Sequence, residues 1–214
     1  MTQQPGLRER KKRRTRQLIA DTAMRLFLEH GFDAVTIAEV ARAADVDAKT
    51  VYNYFPSKPS LVYHGLETFE AALLDAVRQR KPGESILAAF ACHVIDSHGL
   101  LADDDASKQL RALGEMIASS AALLAHEQQV FARFTASLAV LIADETGTHP
   151  DDAQPWVVAS ALMGFHRTLV DYVRRGTLAG TPNRKLLRDV RAQARQALAP
   201  LESGLARFGS KAGR

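Results

Sequence analysis

The sequence predicts an all-α fold of about nine helices, with a small helical unit at the N-terminal end and a larger bundle after it. Three observations predict it. Apolar residues recur at three- and four-residue intervals along most of the 214 residues. No segment alternates apolar and polar residues as a strand does, and neither an internal repeat nor a low-complexity block interrupts the pattern. The periodic stretches are punctuated like helices, with Ser, Thr or Asp ahead of them and Gly or Pro behind.

The elements follow in order. From Thr15 to His30, Leu18, Ile19, Ala23, Leu26 and Phe27 share one face, and Gly31 is placed to end the helix as a C-cap. Thr36 with Glu39 three positions on makes a capping box for a short second helix carrying Ile37, Val40 and Ala41, which stops near Ala44-Asp45-Val46. Asp47 caps a third, Ala48-Lys49-Thr50-Val51-Tyr52-Asn53-Tyr54-Phe55, which Pro56 terminates. Ser57 or Ser60 opens a longer helix with Leu61, Val62, Leu66, Phe69, Leu73, Leu74 and Val77, ending before Pro82-Gly83. Further helices are expected at about 84–98, 106–119, 121–145, 152–175 and 184–207, separated by acidic loops such as Ala102-Asp103-Asp104-Asp105. The expected organisation is a basic arm and small domain over 1–58, a connecting helix over 59–83 and a C-terminal domain over 84–214.

Charge narrows the function classes. The net charge is +4, and residues 1–58 hold 11 Lys and Arg against 7 Asp and Glu while the remainder balances at 17 against 17. All of the excess positive charge therefore sits in the first quarter, mostly in Arg8-Glu9-Arg10-Lys11-Lys12-Arg13-Arg14-Thr15-Arg16, which points to a polyanion bound at one end. The competing account is a solvated basic tail. The most apolar segment, Trp156 to Val173, is interrupted by His166, Arg167 and Asp171 and falls short of the roughly 18 uninterrupted residues of a membrane span. With a single cysteine, Cys92, and no secretory signal, a reducing cytoplasmic setting is expected.

The third helix carries the chemistry. At about 100° per residue, Val51 and Phe55 fall on one face, Lys49, Thr50 and Asn53 on the other, and Tyr52 and Tyr54 at the flanks. The apolar pair can hold the segment against the first two helices while the tyrosines rest their rings on that core and extend their hydroxyls. Two short helices joined by a tight turn, the second offering Lys, Thr and Asn, form a helix-turn-helix candidate able to contact phosphates and base edges. No nucleophile, base and orienting group recur at informative spacing, and neither a phosphate-binding glycine loop nor a metal constellation is present. An enzyme is not expected, nor is a cofactor or metal.

The stretch TIAEVARAADVDAKTVYNYFPSK, from Thr36 to Lys58, resembles the DNA-binding signature of TetR/AcrR-family transcriptional repressors. The likeness extends over nearly all of residues 8–62. It implies that Thr36 presents its hydroxyl and amide to a phosphate at a helix N-terminus. It further implies that Ala48, Lys49, Thr50 and Tyr54 face the groove, beside the Asn53 that the helical wheel already turns outward, that Tyr52 holds a phosphate, and that Lys58 grips the backbone. Arg13, Arg14 and Arg16, read as an arm ahead of the first helix, would add phosphate or minor-groove contacts. Two positions depart from the family pattern: Asp45 stands where the turn usually carries Gly, and Asp47 replaces a Ser-like cap.

For the C-terminal part the resemblance is to the subset with an acyl-CoA-like ligand-binding domain, and it implies a bulky amphiphilic effector. Phe90, His93, Met116, Phe131, Phe134, Met163 and His166 are the candidate lining residues, since their periodicity places them on inner helix faces. Core packing alone is the commoner fate of apolar residues at that spacing. A homodimer on a palindromic double-stranded operator is expected because one recognition helix covers only a few base pairs. By analogy with the family the last two helices are the expected interface, through Ala159, Ala161 and Gly164 on one and Leu186, Leu187, Val190, Ala194, Leu198 and Leu201 on the other, with about half of these residues packing within one subunit. The function so implied is a sequence-specific transcriptional regulator, a repressor released by a small molecule, with an activator of the same fold, or an α-helical enzyme with a basic tail, as the alternatives.

Overall fold

A computed structural model describes residues 6–205. Among the described residues the chain forms ten α-helices, one 3-10 turn and no strand. They are α1 (Leu7–His30), α2 (Ile37–Ala43), α3 (Ala48–Tyr54), α4 (Lys58–Val62), α5 (Leu66–Arg78), α6 (Ile86–Ser97), the 3-10 turn His98–Ala102, α7 (Asp104–Ser119), α8 (Ala121–Thr146), α9 (Ala153–Leu178) and α10 (Asn183–Leu205). The outer ends of the expected arm and of the final helix, residues 1–5 and 206–207, lie outside the described residues. None of the described helices is long and apolar enough to cross a membrane.

Two expectations about the helices are corrected. The basic segment is not an arm ahead of α1 but its first turns, continuous from Leu7. Arg and Lys are good helix formers, and Glu9 pairs with Arg13 one turn on at 3.5 Å, so nothing in the run breaks the helix that the apolar stripe starts. The long connecting helix is broken at residues 63–65 into α4 and α5, which supplies the tenth helix. Gly65 costs about 1 kcal/mol relative to Ala inside a helix. The Leu66 amide turns to the Tyr63 carbonyl at 3.0 Å, and His64 Nδ1 donates to the Leu61 carbonyl at 3.1 Å.

The chain divides into two compact units. The first runs to Glu67 and also takes in Met116–His126. Its core is Ile19, Ala23 and Phe27 of α1, Val40 and Ala41 of α2, Val51 of α3, Phe55, and Leu61 and Val62 of α4. Phe27 and Phe32 meet edge-on at 5.1 Å where the chain leaves α1 through Gly31, whose φ of 87° suits a residue without a Cβ. The distant segment is tied in by polar contacts. The buried Tyr63 hydroxyl donates to the Leu123 carbonyl at 3.1 Å, the Ser120 hydroxyl donates to Asp33 at 3.1 Å, and the Tyr63 and His126 rings lie 5.5 Å apart.

The second unit comprises Thr68–Glu115 and the chain from Glu127 onward. Its α10 packs mainly on α9 and also on α6 and the 3-10 turn. At Gly176 the missing Cβ leaves room for the Leu186 side chain directly against α9. Arg80, whose side chain is only 1% exposed, donates to Glu145 at 2.6 Å and to the Val77 carbonyl at 2.8 Å, and Arg174 pairs with Glu127. Of the residues expected at a dimer interface, Leu186, Val190, Ala194 and Leu198 of α10 and Ala159 of α9 are sealed within this unit, whereas Leu187, Leu201 and Ala161 are half-buried. The sealed residues of α10 are the apolar face by which it adheres to its own subunit. α7 begins earlier than expected because Asp103 accepts from the amides of Asp105 and Ala106, at 2.9 and 2.8 Å.

Asp45 is the one non-glycine residue with positive φ among the described residues, at 54°. The left-handed region costs an ordinary L-residue about 1–2 kcal/mol, less for Asp. Asp45→Gly should therefore raise the free energy of unfolding by about 0.5 kcal/mol, net of glycine's greater chain entropy, whereas Asp45→Val should lower it by more than that. Urea denaturation of both variants checks this; a glycine variant less stable than the parent would show that the Asp side chain, and not the backbone alone, holds the turn.

Candidate nucleic-acid interface and aromatic cluster

The exposed surface of α3 is built by three local devices. Thr36 caps α2 reciprocally: the Glu39 amide donates to its hydroxyl oxygen at 3.2 Å, while its own amide and hydroxyl donate to the Glu39 carboxylate at 2.7 and 2.8 Å. The chain then turns through Asp45, with the Val46 amide bonded to the Ala41 carbonyl at 3.0 Å. Asp47 starts α3 by accepting the Thr50 amide at 2.6 Å. Both cap carboxylates titrate low. Glu39 is held below the usual value of 4.5 by the bonds from Thr36, and Asp47 below 3.8 by those from Thr50.

With α3 so oriented, Val51 and Phe55 are buried and the opposite face is open. Ala48, Lys49, Tyr52 and Asn53 are exposed, and Thr50 and Tyr54 are half-buried at the edges. Tyr52 is 54% exposed. Phe55 ends the helix in extended conformation, φ −137° and ψ 104°, as a residue before proline prefers. Lys49, Thr50, Tyr52, Asn53 and Tyr54 thus share one accessible surface.

Other residues expected at the interface are placed differently. Arg16 is half-buried, paired with Glu67 at 2.9 Å and standing 4.9 Å over the Phe55 ring, so it braces α1 against the end of α3. Arg13 is exposed but paired with Glu9, and Arg14 is exposed on α1. Lys58 turns back onto the domain, its Nζ 4.3 Å from the centre of the Phe32 ring and 3.4 Å from the Asp33 carbonyl, and burial lowers its pKa. Both polar groups of Thr36 are already engaged by Glu39, so a phosphate there would compete with that carboxylate.

The candidate effector residues are partly gathered. In the second unit the His166 ring stacks on Phe69 at 5.1 Å and 20°, Phe131 meets His166 at 5.6 Å, and Phe69 meets His93 at 5.5 Å. Phe90, Phe134 and Met163 are buried in the same unit, whereas Met116 belongs to the first. His166 Nδ1 is buried without a hydrogen-bond partner. Burial first, and then the charges of His98 and His93, lower its pKa to about 4. Phe69 and His98 are additions to the expected set. Phe69 had the right helical spacing but was indistinguishable from the core stripe of its own helix, and His98 had no periodic signal because it opens a 3-10 turn.

Comparison with known proteins gives two family matches. Residues 19–63 match the model described as bacterial regulatory proteins, tetR family, and residues 84–205 match the MftR C-terminal domain. The chain is 36% identical over 87 residues to the HTH-type transcriptional regulator TcmR of Streptomyces glaucescens, covering 41% of this chain but only 38% of that protein. It is 27% identical over 160 residues to a Mycobacterium tuberculosis protein named as the mycofactocin biosynthesis transcriptional regulator MftR, covering 72% of this chain and 77% of that one. Among solved structures, the SmeT–triclosan complex aligns with a TM-score of 0.56 at 22% identity, over 87% of this chain and 90% of that one. NalD of Pseudomonas aeruginosa, titled the secondary repressor of the MexAB-OprM multidrug efflux pump, aligns at 0.56 and 24% identity over 91% and 98%. At these identities the structures establish a shared fold.

The cap carboxylates set a sign for acid sensitivity. A folded-state pKa below the unfolded value contributes stability that is present above the unfolded pKa and lost as pH falls through the folded one. The contribution of Glu39 and Asp47 therefore declines below 4.5 and 3.8 respectively. Between about pH 5 and pH 3 the melting temperature of a Glu39→Gln/Asp47→Asn variant should fall less than that of the parent, since the amides still cap but do not titrate. Parallel melting curves at each pH would remove the caps from any account of acid unfolding.

Proposed function

The chain belongs to the tetR family of bacterial regulatory proteins, DNA-binding transcriptional regulators and not enzymes, and on that premise we propose that it acts as a homodimeric repressor released from a palindromic operator by a small-molecule effector. The observation that carries the DNA reading is the two-sidedness of α3. Val51 and Phe55 are sealed inside while Lys49, Tyr52 and Asn53 stand outside, so the donors are held on a rigid element at the surface. Lys49, Thr50, Asn53 and Tyr54 with Ala48 are assigned to the groove, and Tyr52, Thr36, Arg13 and Arg14 to phosphates. Arg16 and Lys58 enter as contacts only by leaving Glu67 and Asp33, which makes them reserves of positive charge beside the reading surface.

Dimerisation is assigned to the exposed face of α9 in place of the α10 stripe. Val157 is 67% and Trp156 41% exposed, and Gly164 has open space where a Cβ would stand, so a second helix can approach closely there. The effector is assigned to the second unit, among Phe90, His93, Phe131, Phe134, Met163 and His166, with Phe69 added. An amphiphilic molecule, as the C-terminal resemblance implies, suits a mainly apolar set with few polar groups. α5, α7 and α8 each contribute residues to both units, so a displacement of any of them on effector binding reaches the DNA-binding unit through continuous helix. Coupling of about 1–3 kcal/mol would change operator affinity roughly 5- to 150-fold.

A duplex selected from a random pool provides the test ligand. Lys49→Ala should weaken it by about 1–3 kcal/mol if the side chain reads a base, or lower the salt slope by about 1 if it holds a phosphate. Tyr52→Phe should weaken binding by about 3- to 30-fold with the melting temperature unchanged, because only the hydroxyl is lost. Fluorescence anisotropy across a salt series measures both, and parent-like affinity in both variants would exclude α3 as the reading helix. Val157→Asp should convert dimer to monomer in sedimentation equilibrium; a persistent dimer would place the interface elsewhere.

A further inference from the structure

We propose that the rings around His166 form the subsite that reads one end of the effector, and that this end is an uncharged aromatic ring carrying a hydroxyl group bonded to His166 Nδ1. The inference rests on the effector reading above and specifies its chemistry. Its foundation is a buried polar atom with no partner: His166 is 6% exposed and its Nδ1 makes no hydrogen bond. Such an atom is costly in a protein interior unless something supplies the missing bond. No neighbour supplies it, although the His93 ring lies in the same cluster. Phe69 and Phe131 offer only rings, and His98 Nδ1 already donates to the Val94 carbonyl at 2.7 Å.

The surroundings specify shape. Phe69, His93 and Phe131 are each only half-buried, so ring surface remains uncovered around the sealed imidazole. The near-parallel stacking of Phe69 on His166, at 20°, continued by tilted contacts at 5.5 and 5.6 Å, offers flat faces and edges to a flat guest.

They also specify charge. Among the described residues one cation stands over a ring of the cluster, Arg167, which is exposed and 5.8 Å from the Phe131 ring centre. A carboxylate at Nδ1 would need His166 protonated, and burial together with the other two imidazoles holds that proton off until about pH 4. A neutral imidazole presents at Nδ1 either N–H or a lone pair according to its tautomer. A hydroxyl both donates and accepts, so it satisfies the atom in either state, which a carbonyl or an ether does not.

Three probes of one size separate the alternatives: naphthalene, 2-naphthol and 2-naphthoate, titrated calorimetrically into the full-length protein. 2-Naphthol should bind roughly tenfold more tightly than either of the others, the size of preference that one buried hydrogen bond supports. The Nδ1 resonance of His166 in 15N-histidine-labelled protein should move with 2-naphthol and stay in place with naphthalene. His166→Phe keeps a ring and removes the nitrogen, and should bind 2-naphthol and naphthalene alike; the comparison within the parent protein stands even if this variant folds poorly. Tighter binding of 2-naphthoate, equal binding of 2-naphthol and naphthalene by the parent, a preference that survives in His166→Phe, or no binding of any probe overturns the proposal. DNA binding is read separately. Loss of the hydroxyl preference with the selected duplex still bound ends the subsite alone, whereas 2-naphthol binding at His166 in a protein that selects no duplex ends the regulator reading and leaves the subsite standing.

Discussion

The burial of Val51 and Phe55 is the constraint on which the reading surface depends. These two side chains lie four residues apart, one turn along a short helix, and both are sealed. Because they fix the rotation of α3 about its axis, they determine that Lys49 and Asn53 point away from the protein. Seven residues of isolated helix have no stability in water, where about 12–15 are marginal. The helix therefore exists because of its inward face, and its outward face is free to vary. Sequence specificity and folding are carried by different side chains of the same element.

Arg16 shows how closely the two roles are interleaved. Its guanidinium stands over the Phe55 ring and pairs with Glu67, so it closes the side of the core on which α3 depends. Lys58 does the same across Phe32 and Phe27. Two cations from the basic front of the chain are thereby spent on holding the domain together, and the phosphate-binding capacity implied by charge counting is correspondingly smaller. What remains outward is Arg13, Arg14 and the other basic residues of α1 with Lys49.

Features governed by neighbours in the chain were legible in the sequence. The Thr36 box, the Asp47 cap, the Gly31 stop and the left-handed turn at Asp45 each involve atoms within a few residues, and each has the predicted geometry. The wheel of α3 was legible for the same reason. Features decided by distant residues were not. Charge alone made Arg16 and Lys58 look like ligands for phosphate, because nothing local reveals Phe55, Glu67 or Phe32 beside them. The apolar face of α10 is legible in the sequence, but which of its residues are covered by the chain's own helices is not, since periodicity gives a face and not what covers it. The break at His64-Gly65 has no signature in the apolar spacing, because Val62 and Leu66 on either side of it keep the four-residue interval of a continuous helix. His166 was on the candidate roll for its spacing, but its lack of a partner and its stacking on Phe69 are tertiary facts.

The two hydrogen bonds that gather Met116–His126 into the first unit give that unit a discontinuous chain. Leu123 is buried, and Tyr63 and Asp33 spend their polar atoms on a stretch of sequence some sixty to ninety residues away. Severing the polypeptide after Glu67 would take away the backbone carbonyl and the serine that the Tyr63 phenol and the Asp33 carboxylate meet. Modular recombination of such reading heads with foreign sensory halves accordingly has to transplant two separate tracts, and the interruption between them is itself part of the sensory half.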